Sequence, residues 1–153
     1  MRVRIEITPD LEEEEICIRC AGINEEILQI QSLLNEAGND MGSLALSKGE
    51  TEYFVPGEQI LFFETEGKNV TAHTADKMYE TQYRLYELEE ILPRYFMRIS
   101  KSTIVNLNQI YSITRNLTAS SVVEFSESNK KVYVSRNYYK ALIERMGERR
   151  RSI

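Results

Sequence analysis

The sequence predicts a mainly β protein with short helices, an α+β chain of small antiparallel sheets preceded by a small β-β-α-β N-terminal region. Three observations predict it. Short apolar runs recur from Tyr53 onward, separated by turn residues such as Pro56-Gly57, Glu66-Gly67-Lys68-Asn69 and Ser128-Asn129. Helical periodicity is found in only three stretches, near residues 24–37, 83–92 and 136–146. The composition, 42% hydrophobic and 28% charged, suits a folded domain, and no apolar run approaches the ~18 residues of a membrane span. A chain of 153 residues holds one domain with a sizeable core, or a domain with a small appendage.

Residues 2–7 alternate as a strand, with Val3, Ile5 and Ile7 on one face. They are too regular and too charged for a signal peptide, which points to a cytoplasmic protein. Thr8-Pro9-Asp10 is a turn, and Glu12 to Glu15 form a solvated acidic rim. Residues 15–20 give a second strand carrying Cys17 and Cys20. On a strand these two thiols diverge, and without a third Cys or a second His the pair is no zinc site. They read as free thiols of a reducing compartment. Asn24 is placed to cap a helix, with Ile23 and Leu28 as a hydrophobic staple. Ile27, Ile30, Leu34 and Ala37 form its apolar stripe, and Gly38 stops it. Residues 41–48, with Leu44 and Leu46, are a third strand, and Gly49 marks a boundary. Residues 1–49 are thus a small α/β region whose half-core must dock, as a subdomain, a regulatory element or a dimerisation element.

Residues 50–147 form the main domain. Strands at 53–55, 60–64, 70–74 and 78–81 make a meander. Leu85, Leu88 and Leu92 recur at helical spacing before Pro93 closes that segment. Strands follow at 109–114, 121–125 and 131–135. Ser135 caps a last helix over 136–146, with Tyr139, Leu142, Ile143 and Met146 on its apolar side, and Gly147 ends it. The basic tail 148–153, with Arg149-Arg150-Arg151, either follows a phosphate backbone or is solvated.

The net charge of −5 is unevenly distributed. From Arg98 onward there are 11 Lys or Arg against 4 Asp or Glu, a local +7, while the preceding residues hold 8 against 20, a local −12. One basic face on an acidic chain suits a protein that grips a polyanion. No catalytic constellation is legible. His73 stands alone on a strand and reads as a structural histidine, and the phosphate-loop, dinucleotide and H-E-x-x-H motifs are absent. No cofactor, metal ion or small-molecule substrate is expected. Nine tyrosines offer bases a stacking platform, but most read as core or strand-pair residues. Phe96-Met97-Arg98-Ile99-Ser100-Lys101-Ser102-Thr103-Ile104-Val105-Asn106 puts cations and short hydroxyl donors between buried anchors, the composition of a DNA-contacting loop. Three positive places sit at element ends: Lys68 and Asn69 at a hairpin tip, Lys101 in this stretch, and Arg136 and Asn137 at the start of the last helix.

At these residues the chain resembles the LytTR DNA-binding domain of bacterial response regulators. The resemblance covers about three-fifths of the chain. It rests on Ile60-Leu61-Phe62-Phe63-Glu64-Thr65-Glu66-Gly67-Lys68, Leu88-Glu89-Glu90-Ile91-Leu92-Pro93, the 96–107 stretch, and Val132-Tyr133-Val134-Ser135-Arg136-Asn137-Tyr138. It implies an elongated fold of small sheets whose loops enter successive major grooves and bend the duplex. By position the contacts fall on Lys68 with Asn69, on Lys101 flanked by Arg98, Ser100 and Ser102, and on Arg136 with Asn137. Some relatives carry His at the first position and Asn at the second, so lysine at both implies more phosphate contact. Asn106 braces the scaffold. Some 50 residues before the domain are too few for a phosphoacceptor receiver, so the resemblance is to the stand-alone type, some of which are encoded with a small membrane protein.

The expectation is a cytoplasmic, sequence-specific double-stranded-DNA-binding transcriptional regulator, not an enzyme, acting as a homodimer on two half-sites. The alternatives are a protein-interaction or membrane-partner module with little DNA binding, and a single-strand RNA binder using the tyrosines.

Overall fold

The structure, a computed structural model, describes residues 1–12, 14–39 and 42–151, and for 35–39 and 149–151 the backbone alone. Met41, the side chain of Ala37 and those of Arg149 to Arg151 therefore lie outside the described residues. The chain divides into two compact units, Met1–Asn35 and Glu36–Ile153.

The first unit corrects one expectation. Its alternating segments, residues 2–7 and 15–20, pair with nothing, and no strand forms among the described residues before Glu25. The turn between them does form, with the Leu11 N–H donating to the Thr8 carbonyl at 3.1 Å. Alternation prepares a face but does not supply a partner, and a lone two-stranded hairpin is marginal in water. Val3, Ile5, Ile7 and Ile16 stay exposed. The helix α1, Glu25–Asn39, begins as expected. The Asn24 Oδ1 accepts the Ile27 N–H at 3.0 Å, and Glu25 and Glu26 favour the positive end of the helix dipole. Ile23 and Leu28 are both exposed, so no staple closes there, and α1 runs through Gly38 rather than stopping at it.

Among its described residues the second unit has ten strands, β1 (Ser43–Lys48), β2 (Thr51–Pro56), β3 (Phe62–Glu66), β4 (Asn69–His73), β5 (Met78–Thr81), β6 (Phe96–Arg98), β7 (Thr103–Asn106), β8 (Ile110–Thr114), β9 (Ser121–Phe125) and β10 (Lys131–Val134). Two helices accompany them, α2 (Leu85–Ile91) and α3 (Arg136–Arg151). Every pairing is antiparallel. The larger sheet runs β2-β1-β5-β4-β3-β7-β6 and the smaller β10-β9-β8. Gly49, the expected boundary, sits in the turn of the β1–β2 hairpin, so β1 belongs to the same sheet as the strands after it.

Alternation along the central strands explains the layering. Phe63, Val70, Ala72 and Ile104 face one way and pack with Leu85 and Leu88 of α2. Phe62, Val105 and Ile99 face the other way and pack with Val123, Phe125, Val132 and Val134 of the small sheet and Leu142 of α3. A sheet buried on both faces needs unbroken apolar runs, which Ile60-Leu61-Phe62-Phe63 and Ile104-Val105 provide. Asn106, wholly buried, braces this core as expected. Its amide donates to the Ile60 carbonyl at 2.9 Å and its Oδ1 accepts the Asn108 N–H at 2.9 Å.

Two further differences matter. The stretch from Phe96 to Asn106 is a β6–β7 hairpin, so its free loop narrows to residues 99–102. The last helix continues past Gly147 to Arg151. Of the nine tyrosines, Tyr53, Tyr79, Tyr111 and Tyr133 lie on strands, Tyr95 is buried and Tyr138 and Tyr139 pack against the core, as expected, while Tyr83 and Tyr86 are exposed off the strands.

Candidate nucleic-acid interface

The site is assembled from three turns. The first is the β3–β4 hairpin. Glu66 faces Asn69 in the ladder, leaving Gly67 and Lys68 as a two-residue turn. Gly67 has φ +59° and, among the described residues, no non-glycine residue has positive φ, which is the primed hairpin pattern with glycine first. Lys68 and Asn69 are consequently exposed at the tip.

The second turn joins β6 to β7. The Ser100 Oγ accepts the Ser102 N–H at 3.2 Å and lies 3.3 Å from the Ser102 Oγ. The Ile99 N–H donates to the Thr103 carbonyl at 3.0 Å, so the turn closes on a buried anchor. Lys101 projects from its apex, exposed. Arg98 does something different from Lys101. Its Nε donates to the Ser100 carbonyl at 2.9 Å, one guanidinium nitrogen reaches the Lys101 carbonyl, and the other pairs with Glu89 of α2. All three sides of the fork are occupied in holding the turn.

The third turn leads into α3. The Ser135 carbonyl accepts the N–H groups of Tyr138 and Tyr139 at 3.0 and 3.1 Å, which starts the helix and leaves Arg136 and Asn137 exposed in its first turn.

Two backbone hydrogen bonds gather these turns. The Thr65 N–H, two residues before Gly67, donates to the Ser102 carbonyl at 2.9 Å. The Ser135 N–H, immediately before Arg136, donates to the Ile99 carbonyl at 3.0 Å. The middle turn is thus tied on one side to the hairpin that carries Lys68 and on the other to the helix start that carries Arg136. Lysine and arginine are the side chains that DNA-binding proteins most often place on phosphates and base edges. Sequence reading missed Arg115, whose guanidinium lies 5.2 Å over the ring of Tyr139, one turn along α3 from Arg136. Its signal was only a cation at the end of a strand. It also missed Glu89 and Thr65, whose roles come entirely from pairing.

His73, at the other end of β4 from Lys68, is a structural histidine. It stacks on Phe62 with ring centroids 4.4 Å apart. Burial, then the Lys130 ammonium, lowers its pKa from 6.5 to about 4. The Lys130 Nζ sits 3.3 Å from Nδ1. An ammonium only donates, so Nδ1 accepts, and Nε2 carries the proton toward the Thr71 Oγ1 at 3.1 Å. Burial raises the Glu64 carboxyl, and Glu66 raises it further. Glu64, Glu66 and His73 have ligand-type atoms within 4.8 Å of one another. A metal there would need the Nε2 lone pair and a proton on Nδ1 facing Lys130, so the group fits a polar network better than an ion.

A family model described as the LytTr DNA-binding domain matches residues 50–147. Two relatives, the uncharacterized HTH-type transcriptional regulators of Staphylococcus aureus strains NCTC 8325 and COL, are each 31% identical over 150 residues, spanning 95% of this chain and 98% of theirs. The solved LytTr DNA-binding domain of a methyl-accepting/DNA response regulator from Bacillus cereus superposes with a TM-score of 0.61 at 24% identity, covering 67% of this chain and 96% of that one. The two share a fold. Among the described residues of this chain, strands separate each α-helix from the next, so no two helices form a helix-turn-helix pair. No helix of the described residues is long and apolar enough to cross a membrane.

Proposed function

The chain belongs to the LytTR DNA-binding family, and on that premise we propose that it is a cytoplasmic, sequence-specific regulator of transcription that holds double-stranded DNA with turns instead of a recognition helix. One observation carries the reading: the bonds from Thr65 to Ser102 and from Ser135 to Ile99 gather Lys68, Lys101 and Arg136. Lys68 and Lys101 act as compact charges on phosphates, helped by the short donors Asn69, Ser100 and Ser102. Arg136 reads a guanine through its fork and Asn137 an adenine, both in the major groove. Arg98 serves the same surface by shaping the Lys101 turn. Arg115 adds a fourth cation beside α3. The protein works as a homodimer on two half-sites, with residues 1–49 supplying the dimer or regulatory contact, 50–147 the DNA-binding domain, and the basic tail 148–153 a further phosphate contact. It binds and does not catalyse.

The test is a duplex selected from random sequence with the purified chain, followed by the Lys68→Ala, Lys101→Ala, Arg136→Ala triple variant. The variant is expected to keep its fold by circular dichroism and to lose binding. Arg136→Ala alone weakens discrimination at one base pair by ~1–3 kcal/mol. A folded triple variant that binds the same duplex equally well refutes the site. No duplex binding and a flat salt response would point to a protein-interaction or membrane-partner module.

A further inference from the structure

We propose that residues 2–8 are an intermolecular strand, through which two copies of the chain pair antiparallel about a two-fold axis at Ile5. The proposal rests on the homodimer reading above and names its contact. Met1, Val3, Ile5 and Ile7 are 82, 88, 85 and 87% exposed, and they alternate with Arg2, Arg4 and Glu6. This is the pattern of a strand with one dry and one wet face. Yet no ladder forms on it among the described residues, although a second apolar run, 15–20, is tethered close by.

Symmetry and charge choose the register. When two identical strands pair antiparallel, directly opposed side chains share a face, so both apolar faces align only when the two residue numbers are both odd or both even. With Arg4 on the axis, two like cations meet. With Ile5 on the axis, Arg4 faces Glu6 of the other copy and Glu6 faces its Arg4, while Val3 faces Ile7 and Arg2 faces Thr8. Pro9, which has no N–H to give, ends the ladder. Arg4 already pairs with Glu6 in its own chain, with both side chains about two-thirds exposed (68 and 64%). In the dimer the four charges alternate in sign. The apolar side chains of both copies then form one ribbon face, and Leu28 and Leu33 of α1, both exposed, are the chain's own residues to cover it.

The test measures self-association of the full chain by sedimentation equilibrium, with duplex binding followed separately. The unmodified chain is expected to be dimeric. Arg4→Glu or Glu6→Arg alone makes both symmetric pairs repulsive and weakens the dimer about tenfold, and the double exchange restores it to within about threefold. In a C17S/C20S background, I5C forms an interchain disulfide under mild oxidation. A dimer indifferent to both reversals, with no I5C cross-link, overturns the proposal while leaving the homodimer reading in place. A monomer in which I5C cross-links to I18C of the same chain overturns it in favour of an internal hairpin. A chain monomeric at every concentration overturns both, and its duplex binding then decides the DNA reading independently.

Discussion

His73 and Arg98 are polar side chains whose surroundings, more than their own chemistry, set what they do. The His73 pKa is lowered from 6.5 to about 4, by burial first and Lys130 second. The folded value lies below the unfolded one, so on acidification the unfolded chain takes up the proton first. The contribution of His73 to stability is then level above pH 6.5 and falls as the pH drops from 6.5 toward 4. His73→Gln keeps an amide for Thr71 and abolishes the titration, so it flattens this limb of a plot of urea midpoint against pH. Glu64, whose carboxyl is raised by burial and Glu66, acts in the opposite sense. For that reason the comparison is between the variant and the unmodified chain, and identical curves would remove His73 from the account. Arg98 is separable from Lys101 by salt. Arg98→Lys keeps the charge but loses the fork that grips the Ser100 and Lys101 carbonyls and Glu89. Duplex affinity is expected to fall with the slope of log K against log salt unchanged. Lys101→Ala is expected to reduce that slope by about 0.9, the signature of one lost phosphate contact. A reduced slope for Arg98→Gln, which removes the charge as well as the fork, would make it a contact after all.

At the scale of elements, the two hairpin turns show why some of the fold was legible and some was not. Gly49 and Gly67 have φ of +63° and +59°, each first in a two-residue turn. Glycine between alternating strands announces such a turn in sequence, and the hairpin carrying Lys68 was read correctly from it. A Cβ at Gly67 would meet nothing within 4 Å, so Gly67→Ala suffers backbone strain and no clash. It is expected to destabilise by about 1–2 kcal/mol and to weaken DNA binding by displacing Lys68, as chemical denaturation and anisotropy would show. An unchanged unfolding midpoint would mean that the turn is not primed. Helices α1, α2 and α3 were likewise visible in periodicity and caps, because those signals are local. The segments at 2–7 and 15–20 were read as strands on a local signal too, but a strand exists only with its partner, which alternation cannot name. Lys68, Lys101 and Arg136 were legible as cations at element ends. One gripping face was expected of them, but the bonds that bring the turns together were not legible, because Thr65, Ser102, Ile99 and Ser135 make them with backbone groups that leave no mark in side-chain identity. Gly38 and Gly147 misled because glycine inside a helix costs only about 1 kcal/mol relative to alanine, too little to end one by itself.

For the whole molecule the question is how a chain of net charge −5 holds DNA at all. The charge is split along the chain, +7 from Arg98 onward, where Lys101 and Arg136 lie, and −12 before it, where Lys68 lies, so most cations of the proposed site come from the basic part. Such a chain should depend on a few phosphate contacts far more than a uniformly basic one does. If Lys68, Lys101 and Arg136 engage one duplex together, each neutralised phosphate contributes its own released counterion. If all three touch phosphates, removing them lowers the salt slope by about 2.7, the sum of three single losses of about 0.9. Contacts divided between separate duplexes would give single losses that do not sum, because each complex would then contain only some of the cations. Arg136 makes the distinction sharp. If it reads a base and touches no phosphate, its substitution leaves the slope alone while relaxing preference at one position, and the triple variant falls short by one contact, at about 1.8. Anisotropy titrations across a salt series, with the three single variants and the triple on the same selected duplex, separate these cases. A slope indifferent to all three substitutions would show that the bonds from Thr65 and Ser135 gather the turns for something other than a phosphate chain.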